Sequence, residues 1–369
     1  MKNEMKKTFL LLILVAIVTG VSFAQRVGDT IQYAGATYAV ESINGDRVTF
    51  LKQQAQADNP VNWVAVPDST FGTTPIRAVA FGNNTWVAVG DGGKIAYSSD
   101  GRSWTAVAPG TAANQSTFGT STDINAVAFG NGTFVAGGDG SRMAYSTDGR
   151  TWTRVTDSSF GPGVIGGITS GNIHSIAYGG GRFVAVGSAG KTAYSTNGRD
   201  WTAVDATGVF GTTNTSAASN LINGVAFGNN RWVATGRDKI AYSSNGASWT
   251  AVANVPTATW YSIAYANNRW VAGGTSGNIR YSSDGASWTQ VPTANNGGFS
   301  NNRNILGVAF GNNRWVIGGE VGRIAYSTDG ASWTQVANTT FTAQIYAVAY
   351  GSGRFVAVGM GGKMAYCDW

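Results

Sequence analysis

An acidic or amide side chain recurs at one fixed spacing in this sequence. The segment SSDGRSW at residues 98–104 has five further copies. The third position of the six copies is Asp100, Asp148, Asn197, Asn245, Asp284 or Asp329. The seventh position is Trp104, Trp152, Trp201, Trp249, Trp288 or Trp333. The aspartate can accept hydrogen bonds from backbone N–H groups of its own turn, and the glycine permits the backbone angle of a tight turn. Asparagine accepts the same bonds, whereas a catalytic or metal-binding carboxylate would not tolerate the exchange. We therefore predict six structural turns, called here the seven-residue turns, whose tryptophans pack between repeats.

Few other side chains could carry chemistry. The sequence contains one histidine, His174, and one cysteine, Cys367, which excludes a histidine metal cluster, a cysteine-based zinc site and an internal disulfide. A lone histidine of this kind is expected to be a hydrogen-bonded structural residue. The net charge of +6 is too small and too scattered to indicate a nucleic-acid partner. We predict no cofactor and no metal.

The seven-residue turns belong to a longer repeat of four short strands. In the first copy the strands are predicted at residues 76–81, 86–89, 94–97 and 104–107, and further copies begin at Ile124, Ile173, Ile222, Trp260, Ile305 and Ile345. Four antiparallel strands every 40–50 residues are typical of propeller blades. The sequence therefore predicts an all-β fold, a seven-bladed β-propeller of four-stranded blades.

The two ends of the repeat region complement one another. The seventh copy stops at Trp369 before a fourth strand, whereas residues 63–66, WVAV, resemble the fourth strand of the first copy without a preceding strand one, two or three. We expect the strand at 62–66 to complete the last blade and to close the ring, which removes an exposed sheet edge.

The residues before the propeller fall into three segments. Residues 1–24 have the basic start, ten-residue apolar run and small residues of a signal peptide, so we expect export to the periplasm, the cell surface or the medium. Residues 25–52 are predicted to form a small three-stranded β unit, with strands at 30–33, 38–43 and 47–51. Residues 53–61 are a polar linker, and the propeller is assigned to 62–369. No stretch of the mature chain is apolar enough for a membrane span, and we expect a monomer.

The seven-residue turn resembles the Asp-box, or bacterial neuraminidase repeat, of sialidase-like propellers. The longer segment WVAVGDGGKIAYSSDGRSW is similar to the photosystem II stability and assembly factor group of these proteins. The resemblance covers residues 62–369 and implies that the turns lie at the blade periphery, on the face away from ligand. A sialidase-type glycosidase would need several carboxylates, a tyrosine nucleophile and arginines. The propeller contains one glutamate, Glu320, and Arg77, Arg237 and Arg303 show no triad spacing. We therefore predict no catalytic residue.

The opposite face varies between copies, and three sets of residues there could bind a ligand or partner. The second residue of each copy's first strand is expected near the mouth of the central channel. These residues are Arg77, Asn125, His174, Asn223, Tyr261, Leu306 and Tyr346. Six turns end in a base: Lys94, Arg142, Lys191, Lys239, Arg323 and Lys363. These bases either attract an acidic partner or anionic glycan, or are solvated and pair partly with Asp91, Asp139, Asp238 and Glu320; we favour the second.

The long inter-blade loops form the third set. Six of them carry a phenylalanine, at Phe71, Phe118, Phe160, Phe210, Phe299 and Phe341. These rings either form an exposed aromatic rim or tuck each loop onto a blade, and we favour tucking because large exposed apolar patches are uncommon.

The variability of this face favours one asymmetric partner over seven identical sites. We predict a non-catalytic exported propeller that acts as a protein-binding scaffold or as an assembly or stability factor, with another envelope or extracellular protein as partner. A glycan-binding, lectin-like propeller is the alternative, and a sialidase-type hydrolase is a remote one.

Overall fold

The computed structural model describes residues 30–33, 36–44, 47–52, 61–108, 118–161, 163–165, 168–211, 221–299 and 303–369. The chain divides into two compact units, Met1–Val61 and Asn62–Trp369. The proposed signal peptide at 1–24 and residues 53–60 of the proposed linker lie outside the described residues.

The first unit contains a small antiparallel sheet. Its strands β1 (Thr30–Tyr33), β2 (Ala36–Asn44) and β3 (Arg47–Lys52) pair in the order β1-β2-β3. The predicted three-stranded unit is confirmed.

The second unit is a seven-bladed propeller of four-stranded antiparallel sheets. Its first strand, β4 (Val64–Ala65), precedes blade 1, which contains β5 (Ile76–Gly82), β6 (Thr85–Gly90), β7 (Ile95–Ser98) and β8 (Thr105–Ala106). Blade 2 contains β9 (Ile124–Gly130), β10 (Thr133–Gly138), β11 (Met143–Ser146) and β12 (Thr153–Arg154), and a hairpin of β13 (Gly163–Ile165) and β14 (Ile168–Ser170) follows. Blade 3 contains β15 (Ile173–Gly179), β16 (Arg182–Gly187), β17 (Lys191–Ser195) and β18 (Thr202–Asp205), and blade 4 contains β19 (Ile222–Gly228), β20 (Arg231–Gly236), β21 (Lys239–Ser243) and β22 (Thr250–Ala251).

The remaining blades follow the same order. Blade 5 contains β23 (Trp260–Ala266), β24 (Arg269–Gly274), β25 (Ile279–Ser282) and β26 (Thr289–Gln290), and blade 6 contains β27 (Ile305–Gly311), β28 (Arg314–Gly319), β29 (Ile324–Ser327) and β30 (Thr334–Gln335). Blade 7 contains β31 (Ile345–Gly351), β32 (Arg354–Gly359), β33 (Met364–Asp368) and β4. Most fourth strands pair over only two residues, fewer than predicted, because the tryptophan before them belongs to the turn.

Helical segments are short and lie in turns. A single helical turn, α1 (Thr207–Phe210), precedes blade 4. Three-residue 3₁₀ turns are found at Asp91–Gly93, Asp139–Ser141, Ser188–Gly190, Thr275–Gly277, Thr293–Asn295, Glu320–Gly322 and Met360–Gly362. Within the described residues, no helix has the length and apolarity needed to cross a membrane.

The ring closes as expected from the sequence. In blade 7, β33 pairs with β4 through Ala365 opposite Ala65 and Tyr366 opposite Val64. Val66 N donates to Met364 O at 2.8 Å. Trp63 takes the place of the tryptophan in the other blades and is 2% exposed. The first and last segments of the propeller therefore form one blade.

The core of the propeller lies in the seams between blades. The second strand of each blade is an apolar run because both of its faces are covered by neighbouring blades. In blade 1, Trp86 and Ala88 belong to a buried cluster with Val356 of blade 7. Val87, on the other face, belongs to a cluster with Phe134 of blade 2. Alternate residues of one strand thus join three consecutive blades.

Truncation of Trp63 tests the contribution of ring closure to stability. We expect Trp63→Ala to lower the free energy of unfolding by about 3–5 kcal/mol, since it removes a buried indole from the closing strand. Val64→Ala, at a neighbouring side chain that is 39% exposed, should change it by less than about 0.5 kcal/mol. Equilibrium urea unfolding measures both values. Equal stability of the two variants would contradict the assigned closure.

Candidate functional site

Seven side chains meet where the first strands begin. Arg77, Asn125, His174, Asn223, Tyr261, Leu306 and Tyr346 line one cavity of about 170 Å³ at the start of the central channel. These seven residues are called the channel mouth below. Each is the second residue of its first strand, so the same backbone position supplies a different side chain from every blade except for the repeated asparagine and tyrosine.

The channel mouth has a polar side and an apolar side. Blades 1 to 4 contribute Arg77, Asn125, His174 and Asn223, whereas blades 5 to 7 contribute Tyr261, Leu306 and Tyr346. Two exposed apolar side chains lie on turns between the second and third strands of the same apolar blades. Val321 of blade 6 is 56% exposed and Met360 of blade 7 is 44% exposed. The ring of similar blades thus presents an amphipathic surface.

Arg77 forms a two-pronged ion pair with Asp91 at the mouth. Its Nε donates to Asp91 Oδ1 at 2.5 Å and its Nη2 to Asp91 Oδ2 at 2.9 Å. Its guanidinium carbon lies 4.9 Å from the ring centroid of Tyr346. The hydrogen bonds to Asp91 raise the pKa of Arg77 above its usual value. The aromatic ring and the carboxylate hold the arginine in one orientation at the junction of the polar and apolar sides.

His174 has a partner that the sequence did not reveal. Its Nε2 lies 2.8 Å from Ser188 Oγ. Burial lowers the pKa of His174, and the charge of Asp139 opposes this shift. Asp139 Oδ1 accepts a hydrogen bond from Asn125 Nδ2 at 2.9 Å. In the described part of the chain no carboxylate is bonded to this imidazole, so the serine–histidine contact lacks the third member of a catalytic triad.

The other polar residues of the mouth connect adjacent blades. Asn125 Nδ2 also donates to Ile173 O at 3.2 Å, and Asn223 Nδ2 donates to Trp260 O at 3.1 Å. On the apolar side, burial raises the pKa of Tyr261, and the charge of Glu320 adds to the effect. The tyrosine hydroxyl therefore stays protonated at neutral pH and can donate a hydrogen bond.

Five of the six bases have partners other than the acids expected from the sequence. Lys94 Nζ donates to Phe71 O at 2.8 Å, Arg142 Nη1 to Phe118 O at 3.0 Å, and Lys191 Nζ to Phe160 O at 2.6 Å. Lys239 Nζ likewise donates to Val209 O at 2.6 Å, Arg323 Nη1 donates to Gln335 Oε1 at 2.6 Å, and Lys363 is exposed. Four bases thus hold the loop that enters their own blade.

The acids named as partners bind elsewhere. Asp91 pairs with Arg77, Asp139 accepts from Asn125, Asp238 lies 3.8 Å from Arg237, and Glu320 accepts from Asn304. The expected partial pairing of the bases with these acids is not found among the described residues, because the carbonyls of the incoming loops lie within reach of Lys94, Arg142, Lys191 and Lys239 instead.

The loop phenylalanines are buried. Phe71, Phe118, Phe160, Phe210, Phe299 and Phe341 are each 7% exposed or less. Phe160, for example, shares a cluster with Met143 and Val155 of blade 2 and Trp201 of blade 3. The loops are therefore tucked into the seams, and the alternative of an exposed aromatic rim is wrong.

The seven-residue turns have the hydrogen bonds expected from their sequence. Asp100 Oδ1 accepts from Arg102 N at 2.8 Å and from Ser103 N at 2.9 Å, and Ser98 Oγ accepts from Gly101 N at 2.8 Å. Asn197 and Asn245 accept the equivalent bonds in their turns. Four of the tryptophans are buried, whereas Trp249 and Trp288 are half-buried. These side chains complete turns and seams, which is a structural task.

The single cysteine, Cys367, is buried. Burial raises the pKa of Cys367 to about 11, so its thiol is protonated at neutral pH. Among the described residues, no group of three or more histidine, cysteine, aspartate or glutamate side chains could hold a metal ion.

Comparison with solved structures identifies similar propellers. A structure of YCF48 bound to D1 peptide has a TM-score of 0.62 at 16% identity and covers 84% of this chain and 96% of that chain. YCF48 from Cyanidioschyzon merolae has a TM-score of 0.61 at 20% identity over 83% and 98% of the two chains. Virginiamycin B lyase from Staphylococcus aureus has a TM-score of 0.61 at 9% identity over 84% and 99%. Neither a protein-family model nor a curated protein matches the sequence. At these identities the likeness shows the propeller fold alone.

The acid sensitivity of a seven-residue turn is testable at Asp284. Burial disfavours the charged carboxylate, but hydrogen bonds from Ser287 N and Ala286 N outweigh it and lower the pKa of Asp284 to about 2. Since the unfolded chain binds the proton near pH 3.8, the stability from this group is complete above pH 3.8 and is lost as pH falls towards 2.

We expect Asp284→Asn to keep the turn, as Asn197 and Asn245 do, and to change the free energy of unfolding at pH 7 by less than about 0.5 kcal/mol. Asp284→Ala should lower it by about 1 kcal/mol, since two backbone donors lose their acceptor. Urea unfolding at pH 7 and at pH 3 should show a smaller acid-induced loss in Asp284→Asn than in the wild type. An equal loss would refute the proton linkage.

Val321 provides a test of strain on the mouth face. It has φ 52° and ψ 32°, a left-handed conformation that is unfavourable for a β-branched residue, where Gly92, Gly140 and Gly361 stand in other blades. Val321→Asn should raise the free energy of unfolding by about 1 kcal/mol because asparagine tolerates this conformation. The control Val321→Thr remains β-branched and should show no gain in thermal or urea unfolding. A gain in both variants would show that hydrophobic exposure, rather than backbone strain, destabilises the turn.

Proposed function

We propose that this chain is a non-catalytic, exported docking propeller that holds one protein partner against the channel mouth. The observation that carries the proposal is the division of the mouth into a polar and an apolar side. A surface of this kind discriminates the orientation of a bound segment, whereas seven equal sites would not. Export and an envelope or extracellular partner rest on the signal-like N-terminus.

Strain at Val321 supports a recognition role for the apolar side. A valine that is exposed and held in a left-handed conformation reduces stability, and glycine or asparagine would avoid this cost. Exposed aliphatic side chains beside half-buried tyrosines can supply the apolar centre of a protein interface, with Arg77 as a polar anchor. The structure of YCF48 bound to D1 peptide supports the proposal by showing that a propeller of similar fold binds a peptide.

The variation of the mouth also bears on the glycan-binding alternative. A lectin-like propeller with one weak sugar site per blade would need similar side chains in each blade. The seven mouth residues are of five types that differ in charge, size and polarity, and the loop phenylalanines are buried. Both observations favour one protein partner.

Site-specific photocrosslinking tests the proposal. A benzophenone amino acid would replace Val321 or, separately, Met360, and the matched control would carry it at Ser283, which is exposed on a seven-residue turn. Each protein would be irradiated in envelope extract of the source cells. We expect one protein to be crosslinked from the two mouth-face positions and not from Ser283.

A second variant relates the crosslink to the mouth itself. Tyr261→Ala combined with Tyr346→Ala should reduce the crosslink at least tenfold while the melting temperature stays near that of the parent. Crosslinking of the same protein from both faces, or no product from the mouth face, would contradict the proposal.

A further inference from the structure

The seam between blades 4 and 5 differs from the other seams. The loop that enters blade 5 has no phenylalanine, and Trp249 and Trp288 are 39 residues apart, whereas the tryptophans of the other consecutive turns are 45–49 residues apart. In the seam between blades 3 and 4, by comparison, Phe210 lies against Trp249 with ring centroids 6.2 Å apart. The shorter loop leaves a cavity of about 300 Å³, which is lined by Ile240, Val252, Val255, Arg280, Ser287, Trp288 and their neighbours. This cavity is called the blade 4–5 pocket below.

Trp260 compensates only partly for the missing ring. It replaces the isoleucine that begins most first strands and is fully buried with Ala258 and Ile263. Trp288 packs at the border of the same cluster and remains half-buried. The inner part of the seam is therefore filled, while the outer part keeps an open pocket of mixed polar and apolar lining, with an indole in its wall. Its volume lies at the lower end of the range of small-molecule sites, about 300–1,000 Å³.

Arg280 introduces a positive charge into this pocket. The equivalent third-strand position is alanine in the other six blades: Ala96, Ala144, Ala193, Ala241, Ala325 and Ala365. Arg280 Nε donates to Gln290 Oε1 at 3.1 Å and Nη1 donates to Trp288 O at 3.2 Å. Its guanidinium carbon lies 6.0 Å from the ring centroid of Trp260. Among the described residues, no carboxylate pairs with Arg280 and Nη2 has no hydrogen-bond partner.

The environment of Arg280 is unfavourable for an unpaired charge. Burial lowers its pKa below the usual value. A half-buried guanidinium that faces indole and aliphatic side chains is well suited to a planar anion. The two bonds to Gln290 and Trp288 fix its plane, so an incoming carboxylate would meet a preorganised donor.

We propose that the blade 4–5 pocket binds a small aromatic carboxylate. Its ring lies beside Trp288 and between Val252 and Val255, outside the position that Trp260 fills. Its carboxylate accepts hydrogen bonds from the unpaired end of Arg280. The site is separate from the channel mouth, and the proposal does not depend on the docking function.

Three probes of similar size separate the contributions of ring and charge. Phenylacetate carries both, 2-phenylethanol lacks the charge, and cyclohexylacetate lacks the aromatic ring. Isothermal titration calorimetry with the full-length protein should give at least tenfold tighter binding for phenylacetate than for either control. Addition of phenylacetate should also shift the indole N–H resonance of Trp288, which is assigned by its loss in Trp288→Phe.

Variants then locate the site. Arg280→Ala, which installs the residue found in the other six blades, should weaken phenylacetate binding at least tenfold and leave 2-phenylethanol unaffected. The matched control Arg323→Ala removes the arginine that precedes the third strand of blade 6 and should leave phenylacetate binding unchanged. Far-ultraviolet circular dichroism verifies that each variant is folded.

The outcomes are decisive in each direction. If phenylacetate binds no better than 2-phenylethanol to the wild type, the proposal fails, whatever the variants show. If binding is preferential but equal in wild type and Arg280→Ala, the ligand lies elsewhere and the assigned pocket is wrong. Preferential binding that is lost only in Arg280→Ala establishes the site.

Discussion

The propeller depends on the close approach of an aromatic side chain to a glycine at the ring of first strands. A Cβ atom on Gly82, Gly130, Gly179, Gly228, Gly311 or Gly351 would lie 2.4 Å or less from an atom of the aromatic residue on the next blade, such as Phe129 over Gly82. In these six seams only glycine leaves room for this contact, whereas blade 5 has Ala266 at the equivalent position. The aromatic residue also packs against the second strand of its own blade, as in the pair Phe129 and Phe134 with centroids 4.7 Å apart. One interaction therefore fixes the distance between blades and joins strands within them, and it holds the first strands close enough to leave only a narrow channel.

The face with the seven-residue turns is held by a second repeated contact. A third-strand tyrosine is covered by an arginine, which comes from the same blade in the pair Tyr242 and Arg231, at 4.6 Å from the ring centroid. Blades 1 and 2 have threonine where the second strand begins, and there the arginine comes from the turn of the next blade, as in Tyr97 and Arg150 at 4.8 Å. The contact between tyrosine and arginine is therefore present in both cases, although the arginine comes from a different blade. Since seams and turns supply the stability, side chains at the channel mouth are free to differ between blades.

The repeated parts of the structure could be predicted from the sequence because they obey a period. The seven blades could be predicted from the turn glycines and from the aspartate or asparagine of each turn. Ring closure could be predicted from the three strands at one end of the propeller and the single unmatched strand at the other. Positions of the mouth residues followed from their common place in the first strand. Val321 differs from the glycine, alanine or serine at the equivalent turn position of most other blades, but a single exception of this kind does not by itself mark an exposed surface.

The remaining features depend on loops without a period. The carbonyls of the Phe71 and Phe118 loops determine where Lys94 and Arg142 bind, and no residue type in those loops indicates it, because every residue has a carbonyl. The contact of His174 with Ser188 could not be predicted either, because it depends on the backbone conformation of the turn at Ser188–Gly190. Prediction of the burial of the phenylalanines likewise requires the loop conformation, since the same loop sequence is compatible with a buried ring and with an exposed one.

Blade 5 shows how a ring of similar blades acquires unlike sites. Loss of a loop phenylalanine alone would leave a cavity lined by the ordinary residues of the repeat, which includes an alanine on the third strand. Instead, Trp260 fills the inner seam and Arg280 reaches the outer pocket. Alanine there would have avoided the free energy of burying a guanidinium without a carboxylate. Arg280 ties Trp288 and Gln290 together within the fold, and the anion proposed beside Trp288 would neutralise its charge.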